Sequence, residues 1–439
     1  MATRKVKRFE KIGHTHFIRV PIVWFVADLV IIVGLSLALW SAERGRAVHL
    51  SVKNPGDFSA LLPSIVGLTQ SSLERGNSVQ LLENGDGFFP LLLRDIAAAR
   101  ESIHIESYIW WKGAICDQVA SALAAKARQG VEVRLLVDAS GGHKMDAKLR
   151  DLMLSAGCQV REFHPIRLSN LGRLNNRDHR KEMIIDGRIG YLGGYGFAKE
   201  WTGNAQDREH WRDTGVRVEG PIVNRLQSAF CENWVEETGE IPAGLKYFPP
   251  AAAAGQTPAH LAYTSPTGSV SSVQVLYYMA ITSAKKSIVI QNPYMLPDSD
   301  AIAALAAAVK RGVDVRVMVP ATTSTDSPIV QHASHHQFAA LLESGVKIWE
   351  FQRTLLHQKI IIVDGVWSCV GSTNFDDRSF QLNDEISMGI LDPQLAAQLT
   401  AAFESDRRFA IERHLEEWEH RGLWHKFIDG LAYLGSSEL

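Results

Sequence analysis

Leu123 to Asp138 reads LAAKARQGVEVRLLVD, and Leu305 to Pro320 reads LAAAVKRGVDVRVMVP. The two stretches match at an offset of 182 residues, and MLSAGCQVREF (Met153 to Phe163) matches LLESGVKIWEF (Leu341 to Phe351) at an offset of 188. In each copy an Ala-rich helical stretch stops at Gly130 or Gly312 and passes into a β-branched run, which predicts helix, terminal glycine, strand. SIHIESYIW (Ser102 to Trp110) and SIVIQNPYM (Ser287 to Met295) supply an earlier strand in each copy. Strands alternating with helices predict an α/β sandwich with a largely parallel sheet, present twice in tandem.

The 439 residues are 46% hydrophobic and 21% charged. That balance excludes a mostly disordered, collagenous or small disulfide-stapled chain. A net charge of −2 provides no global field for nucleic acid. Cys116, Cys158, Cys231 and Cys369 lie far apart without CxxC or Cys/His spacing, so they read as thiols and no metal site is expected.

Pro21 to Trp40 (PIVWFVADLVIIVGLSLALW) contains one charge, Asp28, and has the length of a bilayer span. Its 12 Leu, Ile, Val and Phe residues, at about −0.3 to −0.6 kcal/mol each, outweigh one Asp at about +3.5 kcal/mol or less. Arg4, Lys5, Lys7, Arg8, Lys11 and Arg19 precede it and only Arg44 and Arg46 closely follow, a bias that keeps the N-terminus inside. The expectation is a single retained transmembrane helix, with the remainder of the chain outside the cytoplasm. Cleavage after Ser36-Leu37-Ala38 is the competing reading.

Gly239 to Val270 is rich in Pro, Ala, Gly and Thr and reads as a linker or crossover. The organisation is thus 1–48, basic lead and anchor; 49–245, first domain; and 246–439, second domain. From about Gln394 to Leu434, apolar residues including Trp418, Trp424 and Phe427 recur at helical spacing. They read as core-packing helices, with a membrane-surface helix as the alternative.

Two segments share a pattern that no helix or strand requires. His179-Arg-Lys181-Glu-Met-Ile-Ile-Asp186 and His357-Gln-Lys359-Ile-Ile-Ile-Val-Asp364 are both HxKxxxxD, 178 residues apart. In a strand, i and i+2 face one way, so His and Lys of each motif project together while the apolar run is buried. Gly193-Gly194-Tyr195-Gly196 and Gly371-Ser372-Thr373-Asn374 lie at the same offset, and small residues there allow an anion to approach backbone, hydroxyl and amide donors.

The paired motifs, with GSTNFDDRSF (Gly371 to Phe380), LNDE (Leu382 to Glu385) and WRDTGVRVEGPIV (Trp211 to Val223), resemble the phospholipase D superfamily, most closely its bacterial cardiolipin synthase branch. The resemblance implies two α/β/α halves about a pseudo-twofold axis, with both motifs meeting in one site. It further implies an enzyme without cofactor or metal, in which His179 attacks phosphorus and His357 serves as general acid, Lys181 and Lys359 hold phosphoryl oxygens, and Asp213 and Glu385 orient the imidazoles. The sequence by itself is symmetric between the two histidines. Asp186 and Asp364 complete the catalytic motifs and read as securing local structure. Ser372, Asn374 and Gly194 are expected to bind phosphate. Gly196 departs from the family, which has Asn there; the Tyr195 hydroxyl is one substitute and a packed ring the other reading.

The implied reaction joins two phosphatidylglycerols into cardiolipin plus glycerol through a phosphohistidine. Hydrolysis of phospholipid to phosphatidic acid uses the same groups. A nuclease of this superfamily is disfavoured by the neutral charge and the apolar N-terminal segment. The expected partners are phospholipid and membrane, not nucleic acid, and the oligomeric state is not legible.

Overall fold

A computed structural model describes residues 22–43, 49–52, 56–165, 175–266 and 270–435. The chain divides into two compact units, Met1–Arg44 and Gly45–Leu439. The basic lead before residue 22 lies outside the described residues. In the first unit a helix runs Ile22–Glu43, and Val26, Leu29 to Val33 and Leu35 are exposed. Among the described residues, no helix is long and apolar enough to cross a membrane.

The second unit is organised by one sheet. Its first-half strands are β1 (Glu74–Glu83), β2 (Ser102–Ser107), β3 (Glu132–Asp138), β4 (Gln159–Phe163), β5 (Arg177–Asp178), β6 (Lys181–Ile185), β7 (Ile189–Gly193) and β8 (Thr214–Glu219). The second half contributes β9 (Thr257–Thr264), β10 (Ser287–Gln291), β11 (Asp314–Pro320), β12 (Lys347–Phe351), β13 (Ile360–Val363), β14 (Trp367–Gly371), β15 (Asn383–Leu391) and β16 (Ala410–Arg413). The order across the sheet is β4, β3, β2, β6, β7, β8, β1, β9, β15, β14, β13, β10, β11, β12, β16, with β5 added beside β15. From β4 to β1 and from β12 back to β9, equivalent strands follow the same order. The equivalents β1 and β9 pair antiparallel at the seam, so a local twofold relates the halves.

The sheet differs from the expected pair of largely parallel sheets: it is single and mixed. Only β2-β3-β4 and β10-β11-β12 are parallel runs joined by helices. The HxKxxxxD strands instead form hairpins, β6-β7 and β13-β14. The cause is the Asp-Gly that ends each motif. Asp186 and Gly187 have φ of 53° and 60°, and Asp364 and Gly365 have 55° and 67°. Two successive positive φ angles give a turn whose twist matches the flanking strands, within three-residue loops closed by the pairs Ile185↔Ile189 and Val363↔Trp367. The supposed linker also contains a strand: β9 pairs with β15 along Thr264↔Glu385 to Ala259↔Ile390. Its sequence, with His260 among small and apolar residues, carries no period-2 alternation.

Side chains alternate faces along each strand, so one sheet fills two layers. On β13, Ile361 and Val363 join the second half's core, whereas Ile360 and Ile362 join a core shared by both halves. The helices Val223–Thr238 and Pro393–Arg407 cover that shared face, with Phe230, Trp234 and Phe403 fully buried. On the other face the first half packs around Phe88, Trp110 and Trp201 and the second around Tyr277, Leu305 and Phe338. Helix Phe58–Leu68 precedes the first half in sequence yet joins the second half's core, where the Phe58 and Trp367 rings lie 4.8 Å apart.

Candidate active site

Each HxK enters the sheet beside the carboxyl end of a parallel strand: Lys181 pairs with Ser107 at the end of β2, and Ile360 with Gln291 at the end of β10. Carboxyl ends of parallel strands are where open α/β sheets bind ligands. Strand alternation sends His179 and Lys181 one way and Arg180 the other. Arg180 is fully buried and donates to Glu232 Oε2 at 2.6 Å, Ala229 O at 2.9 Å and Thr264 O at 3.0 Å.

The two imidazoles are held crosswise. His179 Nδ1 lies 2.9 Å from Glu385 Oε1, and His357 Nδ1 lies 2.7 Å from Asp213 Oδ2. The backbone repeats the exchange: the His179 N–H donates to Asp384 O at 2.9 Å and the His357 N–H to Arg212 O at 2.8 Å. Each half thus supplies the carboxylate that orients the other half's histidine. A carboxylate accepting from Nδ1–H fixes the tautomer with its lone pair on Nε2. Lys181 Nζ donates to His179 O at 2.7 Å; Lys359 Nζ donates to His357 O at 2.6 Å and lies 3.0 Å from His357 Nε2. All six side chains are buried.

Burial and crowding of cations shape the protonation. Burial holds His179 well below its ordinary range, and the ammonium groups of both Lys181 and Lys359 push the same way. Burial and Lys359 bring His357 down to about 4 against the opposing pull of Asp213. Lys181 is depressed to about 7 by burial and by Lys359; burial takes Lys359 to about 8 despite Asp213 and Glu385. Burial would raise Asp213, but His357, Lys359 and the Trp201 N–H hold its carboxyl below the usual value. Burial pushes Glu385 up to about 8, with Lys181 and Ser372 opposing. Each lysine acts on groups from the other half, so the motifs share one field. A phosphodiester monoanion supplies the counter-charge these cations need.

The twofold breaks at the glycines. In the second half, the Ser372 hydroxyl donates to Glu385 Oε2. At the equivalent Gly194, an added Cβ would lie 2.4 Å from Asp213 Oδ1 and 2.6 Å from Oδ2. The bare Cα of Gly194 makes room for a carboxylate. The missing hydroxyl is replaced by Trp201, whose Nε1–H donates to Asp213 Oδ2 at 2.8 Å. At Gly196 an added Cβ would meet Trp201 Cζ3 and Ile109 Cβ at 3.0 Å, so the indole occupies the space beside Gly196 that a side chain there would need. The Trp201 ring stands edge-on to His357 at 5.1 Å, and Trp211 is tilted 5.6 Å from the same imidazole. His179 faces Tyr108 instead, at 5.2 Å. Tyr195 is the packed ring, stacked on Phe88 at 4.0 Å with its hydroxyl donating to Leu82 O at 3.0 Å. A lone Trp in FAKEWTGN carries no sequence signal, and Trp201 was legible only once Gly194 and Gly196 were seen to be empty on purpose of packing.

Asp186 and Asp364 do not join the imidazoles. The Asp186 carboxylate accepts backbone N–H bonds from Arg100, Glu101 and Ser102, and Asp364 from Lys285, Lys286 and Ser287, at 2.6–3.1 Å. They pin each hairpin turn to the start of the neighbouring strand, far along β6 and β13 from the histidines. Asn374 is buried beside the site in a turn held by Asn292, whose Oδ1 accepts from the Phe375 N–H at 3.3 Å. Among the described residues, one cluster has metal-ligand composition: His332, His335 and Asp429. Its members also bond within the fold, with Asp429 3.1 Å from Arg421 and His335 bonded to Glu350.

The family model for the cardiolipin synthase phospholipase D-like domain matches residues 92–234 and 277–407. Cardiolipin synthase of Staphylococcus aureus strain Mu50 is 33% identical over 380 residues, 86% of this chain and 76% of that protein. Cardiolipin synthase 2 of Staphylococcus epidermidis is 33% identical over 400 residues, 90% of this chain and 81% of its own length. The crystal structure of phosphatidylserine synthase from Haemophilus influenzae Rd KW20 shares the fold with a TM-score of 0.66 at 14% identity, covering 86% of this chain and 99% of that one. Duplicated strand order, crossed histidine–carboxylate pairs and these matches converge: the chain belongs to the cardiolipin synthase family of the phospholipase D superfamily.

Proposed function

We propose that this chain is a phosphatidyltransferase that joins two phosphatidylglycerols into cardiolipin and glycerol. The observation that carries the reading is the crossed pairing of His179 with Glu385 and His357 with Asp213, which gives one site two imidazoles and two ammonium groups. His179 Nε2 attacks the phosphorus of the first phosphatidylglycerol, forming a P–N bond as the P–O bond to glycerol breaks. His357 gives its proton to the departing alkoxide. The 3′-hydroxyl-bearing glycerol of a second phosphatidylglycerol then attacks phosphorus, His357 takes that proton, and the P–N bond breaks to release cardiolipin. Lys181 and Lys359 hold the non-bridging oxygens throughout. The bound anion offsets the ammonium that holds His357 down, so the proton for the leaving glycerol is taken up with substrate. Ser372 acts through Glu385, and Asn374 lines the phosphate turn.

The same reading takes 49–245 and 246–439 as the two catalytic halves and the apolar run Pro21 to Trp40 as a bilayer anchor in a bacterial inner membrane, with the halves on the extracytoplasmic side. The single charge of that run, Asp28, and the basic residues preceding it in the sequence support this. Incubation of the purified chain with labelled phosphatidylglycerol and mass analysis of the products tests the function. Cardiolipin with glycerol is the expected outcome; phosphatidic acid alone would make it a hydrolase, and unreacted lipid with degraded DNA a nuclease.

A further inference from the structure

The C-terminal helix Leu423–Tyr433 does not bury its large apolar residues. Trp418, just before it, is in the core, but Leu423, Trp424, Phe427, Leu431 and Leu434 are 59–84% exposed. Their spacing puts them on one stripe about 16 Å long, with Trp424 and Phe427 stacked at 5.6 Å. The opposite side of the helix is fixed to the body. Asp429 bonds His332 at 2.8 Å, the Tyr433 ring stacks on His336 at 4.5 Å, and Ala432 packs with Leu296, Val330 and Ala333. A stripe of this size facing solvent on a rigidly held helix requires an occupant.

From this geometry we infer that the outer face of Leu423–Tyr433 is a lipid-docking surface that seats the catalytic unit on the bilayer holding its substrate. The inference rests on the phospholipid reading above. Three observations select a membrane over a protein partner. The exposed set is Trp, Phe and Leu, the composition of interfacial helices. Exposed His425 and Lys426 flank it, the Lys426 ammonium donating to Glu419 O at 2.6 Å, and the sole acid between Gly422 and Gly435, Asp429, is turned inward, so the helix sets no carboxylate of its own beside the stripe. The helix is also tied to the segment that carries Asn374. Leu296, under Ala432, donates its N–H to Phe375 O at 2.9 Å, one residue from Asn374; Gln337 bridges Pro297 O at 2.9 Å and the Tyr433 hydroxyl at 3.4 Å.

The test compares the full chain with its Trp424→Glu/Phe427→Glu variant on two substrates: phosphatidylglycerol in vesicles and short-chain phosphatidylglycerol below its micellar concentration. The proposal expects turnover on vesicles to fall by about tenfold or more, as two interfacial anchors become charges, with turnover of dispersed substrate unchanged. Leu154→Glu, which charges an exposed leucine of the first half, should leave both rates alone. Equal vesicle rates for the variant and the parent chain would overturn the proposal. So would a change in oligomeric state by sedimentation with vesicle turnover intact, which would make the stripe a self-association face. Loss of both activities with a lowered melting temperature would send the test to Trp424→Ser/Phe427→Ser, read by the same ratio of rates. A parent chain inactive on both lipids would instead refute the phosphatidyltransferase reading, so the two failures are distinct.

Discussion

Replacing Trp201 by Phe removes one N–H from the site and keeps an aromatic ring. In the structure Asp213 Oδ2 is shared between Trp201 Nε1 at 2.8 Å and His357 Nδ1 at 2.7 Å, and Oδ1 accepts the Thr214 N–H at 2.8 Å. A hydrogen bond to a buried charged acceptor contributes about 1.5–3 kcal/mol. Because the other donors remain, only part of that is lost, and the Asp213 carboxyl moves up toward its ordinary value. The Trp201 bond also fixes the carboxylate that orients His357, so without it the imidazole is less well placed to pass its proton and kcat should fall about tenfold or more. Since Trp201 is fully buried, the variant will also melt earlier, and the rate is measured well below that melting temperature. The decisive readout is the pH profile. The wild-type carboxyl is held below its ordinary value, so removing a donor moves the acid limb of kcat upward. Trp211→Phe, which trims a ring near His357 without touching Asp213 among the described hydrogen bonds, should move that limb little. A Trp201→Phe enzyme with kcat within about twofold of wild type and an unshifted acid limb would refute the positioning role.

His179→Ala and His357→Ala should each abolish turnover of phosphatidylglycerol. An analogue with a p-nitrophenol leaving group separates their roles: His357→Ala should still release about one equivalent in a burst, because that leaving group needs no proton, while His179→Ala releases none. Asp186→Ala should cost about 2–4 kcal/mol of stability by chemical denaturation, since it deprives three backbone N–H groups of a charged acceptor, yet keep kcat within about threefold; loss of activity in a stably folded variant would restore a catalytic role. Buried histidines should also cost stability in acid. His104 and His260 are held neutral by burial, at about 3 and about 4, whereas unfolded histidine binds a proton near 6.5. At these sites the unfolded state alone gains protons as pH drops from 6.5 toward 4, and by pH 5 each removes about 2 kcal/mol. Glu385 and Glu182, pushed up to about 8, act in the opposite sense, so the measurement is a difference: His260→Gln should lose less stability than the parent chain between pH 7.5 and pH 5, and equal losses would contradict this.

The repeat and the paired HxKxxxxD segments were legible because duplication and chemistry leave linear traces. Topology was half legible. Helix, glycine and strand at Gly130 and Gly312 predict parallel βα units, and those form; the antiparallel part was written in Asp186-Gly187 and Asp364-Gly365, a hairpin signal standing inside the catalytic motif. Strand β9 escaped because its neighbours on both sides are strands distant in sequence, so its burial owes nothing to local pattern. Trp201 escaped for a related reason: its role depends on the voids at Gly194 and Gly196 and on a carboxylate from β8. For the C-terminal helix, the core-packing expectation holds at Trp418 and fails at Trp424 and Phe427, because periodicity marks an apolar face without saying what lies against it.

The crossed pairing explains why the site needs both halves and why they can diverge. An imidazole held by its own half's carboxylate would be oriented whether or not the halves met. Here Glu385 orients His179 and Asp213 orients His357, so the seam at β1 and β9 has to close before either histidine is set. Closure also brings two ammonium groups together in a buried volume, where burial lowers both lysines and the Lys359 ammonium adds to the effect at Lys181. Holding that charge together is tolerable because both carboxylates arrive with it. Once each half depends on the other, the local partners of the two carboxylates are free to differ, a serine hydroxyl on Glu385 and an indole N–H on Asp213. Asp213 is the more firmly ionised carboxylate, held below its ordinary value by His357 and Lys359 with the Trp201 N–H adding to them, and this is the asymmetry on which the proposed assignment of His357 as the proton donor to the leaving glycerol rests.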